Sequence, residues 1–324
     1  MKVLVSGGAG FIGSQLVEAL VEVGDDVRVI DDLSSGRLDY LASVADDIEF
    51  RHGDIRDPAV AAAACRDRDV VFHLAGMPSV PLSFEQPLRS HEVNATAPLT
   101  LALAARDAGV KRLINTSSSS VYGAARRLPA RETATPLPVS PYAVAKLAGE
   151  GYCRAVAVNG GLETVSLRLF NVYGPRQEPR SGYGAVVPSF IVKLLDGRPP
   201  TIFGDGHQSR SFTFVGDVVS AMSLAMRADR LKRDVYNVAS PSAVSVIELF
   251  TTLCDLLESD VRPEFAAVRV GDVRRSQADI SAVSADLGFA ARVSLRSGLA
   301  STIAHLLDRG SAAKPRARRV AVRR

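Results

Sequence analysis

Short β-branched runs alternate with longer segments of helical spacing along the first half of the chain. KVLVS, DVRVID, IEFRHGD and DVVFHLAG read as four successive strands, followed by KRLINTSS and ETVSLRLFNVYG. Between them, GSQLVEALVEVG places Leu16, Leu20 and Val23 at helical spacing and stops at Gly24. APLTLALAARDAGV and PYAVAKLAGEGYCRAVAVNG read as two further helices, the second ending at glycines. Strands that are apolar throughout, each followed by a helix, predict a parallel sheet covered on both faces: an α/β, doubly wound fold. Beyond about residue 175 the Pro and Gly content rises and the order becomes mixed. A smaller mixed α/β lobe is expected there, with DVYNVA returning to the main sheet.

Length and composition set outer bounds. A chain of 324 residues, 47% hydrophobic, can bury one large core, or one plus a smaller one. No apolar run reaches the roughly 20 residues that span a bilayer, and MKVLVSGGAG does not read as a signal peptide. Cys65, Cys153 and Cys254 are far apart, odd in number and in no CxxC pair. Reduced core thiols in a cytoplasmic protein are expected, with no metal. The net charge of +4 misleads, because residues 309–324 carry seven basic residues and no acid, leaving −3 for the rest. That segment is expected to be a disordered, solvated tail. No aromatics interleave its charges, so neither nucleic acid nor membrane is an expected partner.

The chemistry begins at GGAGFIG, where Gly7, Gly10 and Gly13 follow a strand and open a helix. Such glycines let the backbone turn tightly and approach a pyrophosphate, which the free N–H groups of a helix start can bind. Asp31 closes the second strand 18 residues after Gly13. Its carboxylate can accept both adenosine ribose hydroxyls and repel a 2′-phosphate, favouring NAD over NADP. Residues 1–175 are therefore expected to be a Rossmann-type NAD-binding domain and 176–308 mainly a substrate lobe. Asp54 and Ile55 in GDIRD follow the third strand, where the adenine of such a cofactor would lie. YAVAK puts Tyr142 and Lys146 at i and i+4 on one helical face. A phenol is a poor base near neutrality unless a fixed ammonium favours its ionised form. The four serines of NTSSSSVYG follow a buried strand whose C-terminal end lies on the ligand side of the sheet. His73, at a strand end, is expected to bond backbone and not metal.

In order, the glycine pattern, HLAG, SSSSVYG, YAVAK, RLFNVYGP, RSFTFV and RVGDVRRSQADIS resemble the extended short-chain dehydrogenase/reductases over roughly residues 1–300. The nearest likeness is to the nucleotide-sugar 4-epimerase branch, UDP-glucose 4-epimerases in particular. The resemblance implies that Ser118, three residues before the Val of VYG, is the active hydroxyl beside Tyr142 and Lys146. Around NAD it implies Phe11, Ile12, the run Asp31, Asp32, Leu33, Ser34, Ser35 and Gly36, then Asp54, Ile55, Leu74, Ala75, Gly76, Met77, Pro78, Asn94 and Phe170. Toward a UDP-sugar it implies Asn171 and Val186, with Phe203 beside the uracil, Arg210 and Arg269 on the diphosphate, and Asp272. Ser276, seven positions after Arg269, would border the sugar 2-substituent and leave room for an acetamido group. The implied activity is C4 epimerisation by transient oxidation, on UDP-glucose and also on UDP-N-acetylglucosamine. A homodimer is implied too, with Leu99, Leu103, Leu147 and Val156 as candidate contacts.

Two sister chemistries fit less well. The 4,6-dehydratases carry an acidic pair where this chain has Ser119 and Ser120, and the sugar-acid decarboxylases carry a Glu in the same segment, absent here. Ser211, where relatives often show Asp, and Ala97, where Gly is usual, depart from the pattern. A uronic-acid epimerase would need a cation near the sugar C6, for which Arg176 or Arg180 are the candidates. A non-catalytic NAD-binding regulator is the reading from another class; such proteins tend to lose the Tyr or the Lys, and both are kept.

Overall fold

The structure is a computed structural model that describes residues 1–125, 127–158, 160–179, 185–268 and 273–312, the side chains of 309–312 excepted. Six strands arise in the first 170 residues: β1 (Lys2–Ser6), β2 (Asp26–Asp31), β3 (Ile48–His52), β4 (Val70–His73), β5 (Arg112–Ser118) and β6 (Glu163–Leu169). The later strands are β7 (Val172–Tyr173), β8 (Thr201–Phe203), β9 (Ser209–Arg210), β10 (Thr213–Phe214), β11 (Val235–Val238), β12 (Val244–Ser245), β13 (Glu264–Ala266) and β14 (Arg275–Ser276). Seven of them form one parallel sheet in the order β11-β6-β5-β4-β1-β2-β3. The chain runs outward from β1 through β2 and β3, then crosses back to β4 on the other side of β1. That reversal opens a crevice beyond the C-terminal ends of β1 and β4, the place where such sheets hold ligands.

Helices cover both faces. The helix Phe11–Glu22 buries Leu16, Val17 and Leu20 on one face, together with Val218, Met222 and Val283 from later segments. Each such side chain contributes about 1.5–3 kcal/mol when fully buried. Val23, expected on that stripe, is 64% exposed. The helix has ended at Glu22, and Val23 and Gly24 form its exit turn, Gly24 at φ 80°. The other face is packed by helices Pro58–Cys65, Ala97–Asp107 and Pro141–Val158. Below the sheet two arginines tie strands to helix ends. Arg28 donates to the Ala64 and Arg66 carbonyls, and Arg112 to those of Ala225, Met226 and Ala228. Both answer carbonyls left unpaired where helices stop.

The single strand expected at ETVSLRLFNVYG is two. β6 stops at Leu169, Asn171 takes φ 36°, and β7 pairs with β10 in a separate two-stranded sheet. This break turns the chain off the large sheet and into the smaller lobe. That lobe has its own core, including Val187, Phe190, Phe212, Leu249 and Leu299. It carries the short sheets β12-β9-β14 and β13-β8. The last helix, Leu295–Ala312, runs past residue 309, so the first residues assigned to the tail are helical; 313–324 lie outside the described residues. Among the described residues no helix is long and apolar enough to cross a membrane, and no metal-binding group of side chains occurs.

Candidate active site

The crevice is built first from backbone. Gly7 has φ 74°, and a Cβ there would fall among the backbone atoms of Leu74 and Ala75; one on Gly13 would strike the Gly7 carbonyl. The β1 loop, the β4 loop and the helix start are thus packed too closely for any side chain. Gly10, the N-cap of Phe11–Glu22, supplies no side-chain cap, and the first turn carries no acid. The N–H groups of Phe11 and Ile12 meet no side chain that would neutralise them, which suits a pyrophosphate.

Asp31 ends β2 nearly buried, accepting from the N–H groups of Ala9 at 3.0 Å and Leu33 at 2.9 Å. Burial pushes its carboxyl above the usual range while those two N–H groups work against the rise. Leu33 adopts φ 57°, and a Cβ on Gly36 would come within 2.7 Å of the Asp31 carboxylate. The turn is completed by Asp32, which accepts from Ser34; Ser35 is exposed at its edge. On the far side, Asp54 pairs with Arg56 at 2.5 Å, which holds its carboxyl below the usual range. Ile55 points into the core cluster of that face.

After β4, the Leu74 and Ala75 N–H groups both donate to the Ser6 carbonyl. Met77 N–H donates to Asn94 Oδ1 at 3.1 Å, and Asn94 Nδ2 donates to Met77 and Ser90 carbonyls. Fully buried Asn94 therefore shapes the loop from Leu74 to Pro78. At Gly76 a Cβ would lie 3.1 Å from Asn94 Oδ1 and 3.4 Å from Lys146 Nζ, so the loop passes directly over the lysine. The expectation for His73 is corrected: Nδ1 shares a 2.8 Å hydrogen bond with the Ser6 hydroxyl, not with backbone, and buried Nε2 has no partner among the described residues. Burial, aided by the nearby Lys146 charge, pushes this imidazole down to about 3, so the ring is neutral.

Strand β5 carries the serines to the same edge. Ser118 donates to Ser120 Oγ at 3.1 Å and accepts from the Ser120 N–H at 3.2 Å, closing the turn Ser119–Tyr122. The 18-residue helix Pro141–Val158 presents buried Tyr142 and Lys146 to this turn. Burial pushes the Tyr142 phenol above its ordinary value, and the nearby Ser118 hydroxyl pulls it back. Lys146 donates to the Thr116 carbonyl at 2.9 Å, and burial pushes its ammonium down to about 8. The tyrosine-bearing helix thus packs on the serine turn, with the ammonium anchored two residues before Ser118 on the same strand.

Sequence reasoning missed Glu150. It stands one turn past Lys146 on the same buried face, a lone carboxylate in an apolar stripe, which was the available signal. Arg168 of β6 grips it with two bonds, at 2.9 and 2.7 Å, and Ser117, next to Ser118, also donates to it. The Arg168 guanidinium lies 4.7 Å from the Tyr122 ring centroid, and Tyr122 donates to Asn237 of β11 at 2.7 Å. One charged pair therefore joins the tyrosine-bearing helix, the serine turn and two strands.

On the opposite wall, Phe170 is buried against Tyr122, with ring centroids 6.1 Å apart, and contributes to a core cluster. Asn171 follows with its Nδ2 buried and without a partner among the described residues. Arg210 on β9 is in register with Ser276 on β14, half-buried side by side. Phe203 ends β8, its carbonyl held by Gln208 at 2.7 Å, and Val186 opens the helix Val186–Leu195. Arg269 and Asp272 lie outside the described residues, as does Arg180. Arg176 does not reach toward a sugar: it pairs with Glu18 at 2.7 Å and bonds Ser14. Of the proposed dimer contacts, Leu99, Leu103 and Leu147 are half-buried, but Val156 is 6% exposed and belongs to the protomer's own core.

Comparison with known proteins supplies context for this arrangement. A family model described as "NAD dependent epimerase/dehydratase family" matches residues 3–239. The chain is 40% identical over 308 residues to a UDP-glucose 4-epimerase of Mycolicibacterium smegmatis, covering 94% of this chain and 97% of that one. Its structure is similar to a UDP-N-acetylglucosamine 4-epimerase from Methanobrevibacter ruminantium M1 in complex with UDP-N-acetylmuramic acid. The TM-score is 0.91 at 38% identity, over 95% of this chain and 98% of that one. It is also similar to a UDP-glucuronic acid 4-epimerase from Bacillus cereus in complex with UDP-glucuronic acid and NAD. There the TM-score is 0.86 at 30% identity, over 95% and 99% of the two chains.

Proposed function

This chain belongs to the NAD dependent epimerase/dehydratase family, and we propose that it inverts C4 of UDP-hexoses, interconverting UDP-glucose and UDP-galactose. The observation that carries the reading is the convergence of Ser118 and Tyr142 at the sheet edge, with Lys146 beneath the Gly76 loop and serines at 119 and 120. Tyr142 accepts the proton of the sugar 4-hydroxyl and later returns it. Ser118 would hold that hydroxyl, and its own hydroxyl near the phenol favours the ionised form. Lys146, fixed by Thr116, adds positive charge to the pocket and would hold the nicotinamide ribose. Bound NAD supplies the reversible oxidation at C4. With no carboxylate at residues 119 and 120, the chain offers no second acid or base there for eliminating water or losing carbon dioxide.

Substrate positioning is assigned to the smaller lobe. The unpartnered Asn171 Nδ2 is a ready donor toward the sugar nucleotide, and Arg210 with Arg269 would take the diphosphate through planar guanidinium forks. Ser276, in register beside Arg210, places a small side chain near the same group, which supports UDP-N-acetylglucosamine as a second substrate. The exposed Val144 and Tyr152 on the tyrosine-bearing helix support a homodimer through that face; a monomer mass by light scattering would contradict it. Three unpaired thiols, Cys65 and Cys153 buried, suit a reducing cytoplasmic setting. The test is direct. The purified protein, given UDP-glucose and no added NAD, is expected to form UDP-galactose; no product with or without NAD overturns the reading.

A further inference from the structure

The segment that follows β7 crosses from the substrate lobe onto the cofactor half and grips it at two places. Gln15 Nε2 donates to the Pro175 carbonyl at 2.8 Å. Arg176 donates to Ser14 Oγ at 3.2 Å and to Glu18 Oε1 at 2.7 Å, the pair being 18% and 30% exposed. All three partners lie on the helix Phe11–Glu22, whose start is the anion site. The second grip is on the segment after Asp31. Two guanidiniums lie near the Tyr40 ring, Arg176 at 5.9 Å and Arg37 at 5.6 Å from its centroid. Tyr40 donates to Glu178 at 2.5 Å, and Arg37 reaches the same carboxylate at 3.8 Å. The Arg37 N–H in turn bonds the Ala9 carbonyl inside the glycine loop. Residues 175–178 therefore join the helix that follows the glycine loop to the segment that follows the Asp31 turn, the two elements that flank the proposed dinucleotide site.

The backbone shows that this bridge is maintained against a local cost. Arg176 sits at φ 68°, a left-handed conformation that disfavours any residue with a Cβ, and Gly174 just before it is at φ 150°. A strained arginine persists where its surroundings over-determine it, and here the ion pair, the Ser14 bond and the ring contact do so. Arginine is suited to the task because one planar group makes all three contacts.

We propose that residues 175–178 are a latch for NAD, with Arg176 as its positioning residue. The latch holds the glycine-loop helix and the Asp31 turn at a fixed separation around the cofactor. Release of NAD then requires the strap to let go of the helix. Because the strap leads directly from Asn171 and Tyr173, the substrate lobe and cofactor retention are mechanically joined. The inference rests on NAD as the cofactor and not on the identity of the sugar.

The experiment uses the full chain loaded with NAD and desalted, with bound NAD followed over time. Arg176→Gly removes the side chain while suiting the left-handed backbone, so folding is not penalised by the substitution itself. The expected result is NAD loss about tenfold faster than wild type, the scale of one half-buried ion pair with its stacking. The melting temperature of the NAD-free variant should stay within about 2 °C of wild type. Glu18→Gln, which keeps a hydrogen-bonding partner but not the charge, should hasten loss less. NAD retained at the wild-type rate in both variants overturns the latch. So does faster loss accompanied by a matching fall in the NAD-free melting temperature, which would make Arg176 a general structural tie.

Discussion

The two walls of the active site are built differently. The chemical wall stands on long elements: a seven-residue strand carrying Ser118 and an 18-residue helix carrying Tyr142 and Lys146, cross-braced by buried Glu150 and Arg168. The proposed sugar wall stands on strands of two residues, Ser209–Arg210 and Arg275–Ser276, joined by loops. Rigid elements suit the first task, since a proton acceptor misplaced by an ångström loses most of its effect. Short strands suit the second, because side chains there can change without disturbing the large sheet.

The largest effect is expected at the chemical wall. Tyr142→Phe should lower kcat by about 10³-fold or more while leaving bound NAD in place, as it removes the proton acceptor alone. Ser118→Ala should cost about tenfold, because the serine assists and does not take the proton. Steady-state kinetics with NAD content measured in parallel check both; wild-type turnover in the phenylalanine variant would remove the tyrosine from its role.

The next effect concerns the brace. Glu150→Gln leaves Arg168 charged, buried and unpaired, which should destabilise the fold by about 3–5 kcal/mol in urea denaturation. A cost below about 1 kcal/mol would show that the chemical wall is held by apolar packing instead.

The most selective effect is expected at the proposed sugar wall. Ser276→Tyr should reduce turnover of UDP-N-acetylglucosamine by about 100-fold and change UDP-glucose turnover by less than about threefold, since the clash involves only the 2-substituent. Equal losses on both substrates, or no wild-type turnover of the N-acetyl substrate, would take Ser276 out of this role.

What could be read beforehand divides along similar lines. The glycine loop, Asp31 and the Tyr142–Lys146 spacing are local: each is a turn or helix property set by neighbours within a few residues. The parallel, doubly wound sheet followed from the same alternation; the order of its strands did not. Glu150 was not legible, because its partners Arg168 and Ser117 come from strands brought together only when the helix packs on the sheet. The place of Arg176 was not legible for the same reason: nothing within its own loop shows that Glu18, 158 positions earlier, will be its partner. Val23 and Val156 failed in opposite directions, the first left exposed by the helix exit and the second buried by the strand beneath it.

In the proposed cycle C4 is oxidised and then reduced within one bound state, with Tyr142 handling only the hydroxyl proton. UDP-glucose carrying deuterium at C4 is the decisive substrate. UDP-galactose is expected to keep the deuterium at C4 and, in a parallel reaction of unlabelled substrate in heavy water, to take up none there. Loss of the label to solvent, or entry of solvent deuterium at C4, would contradict that cycle.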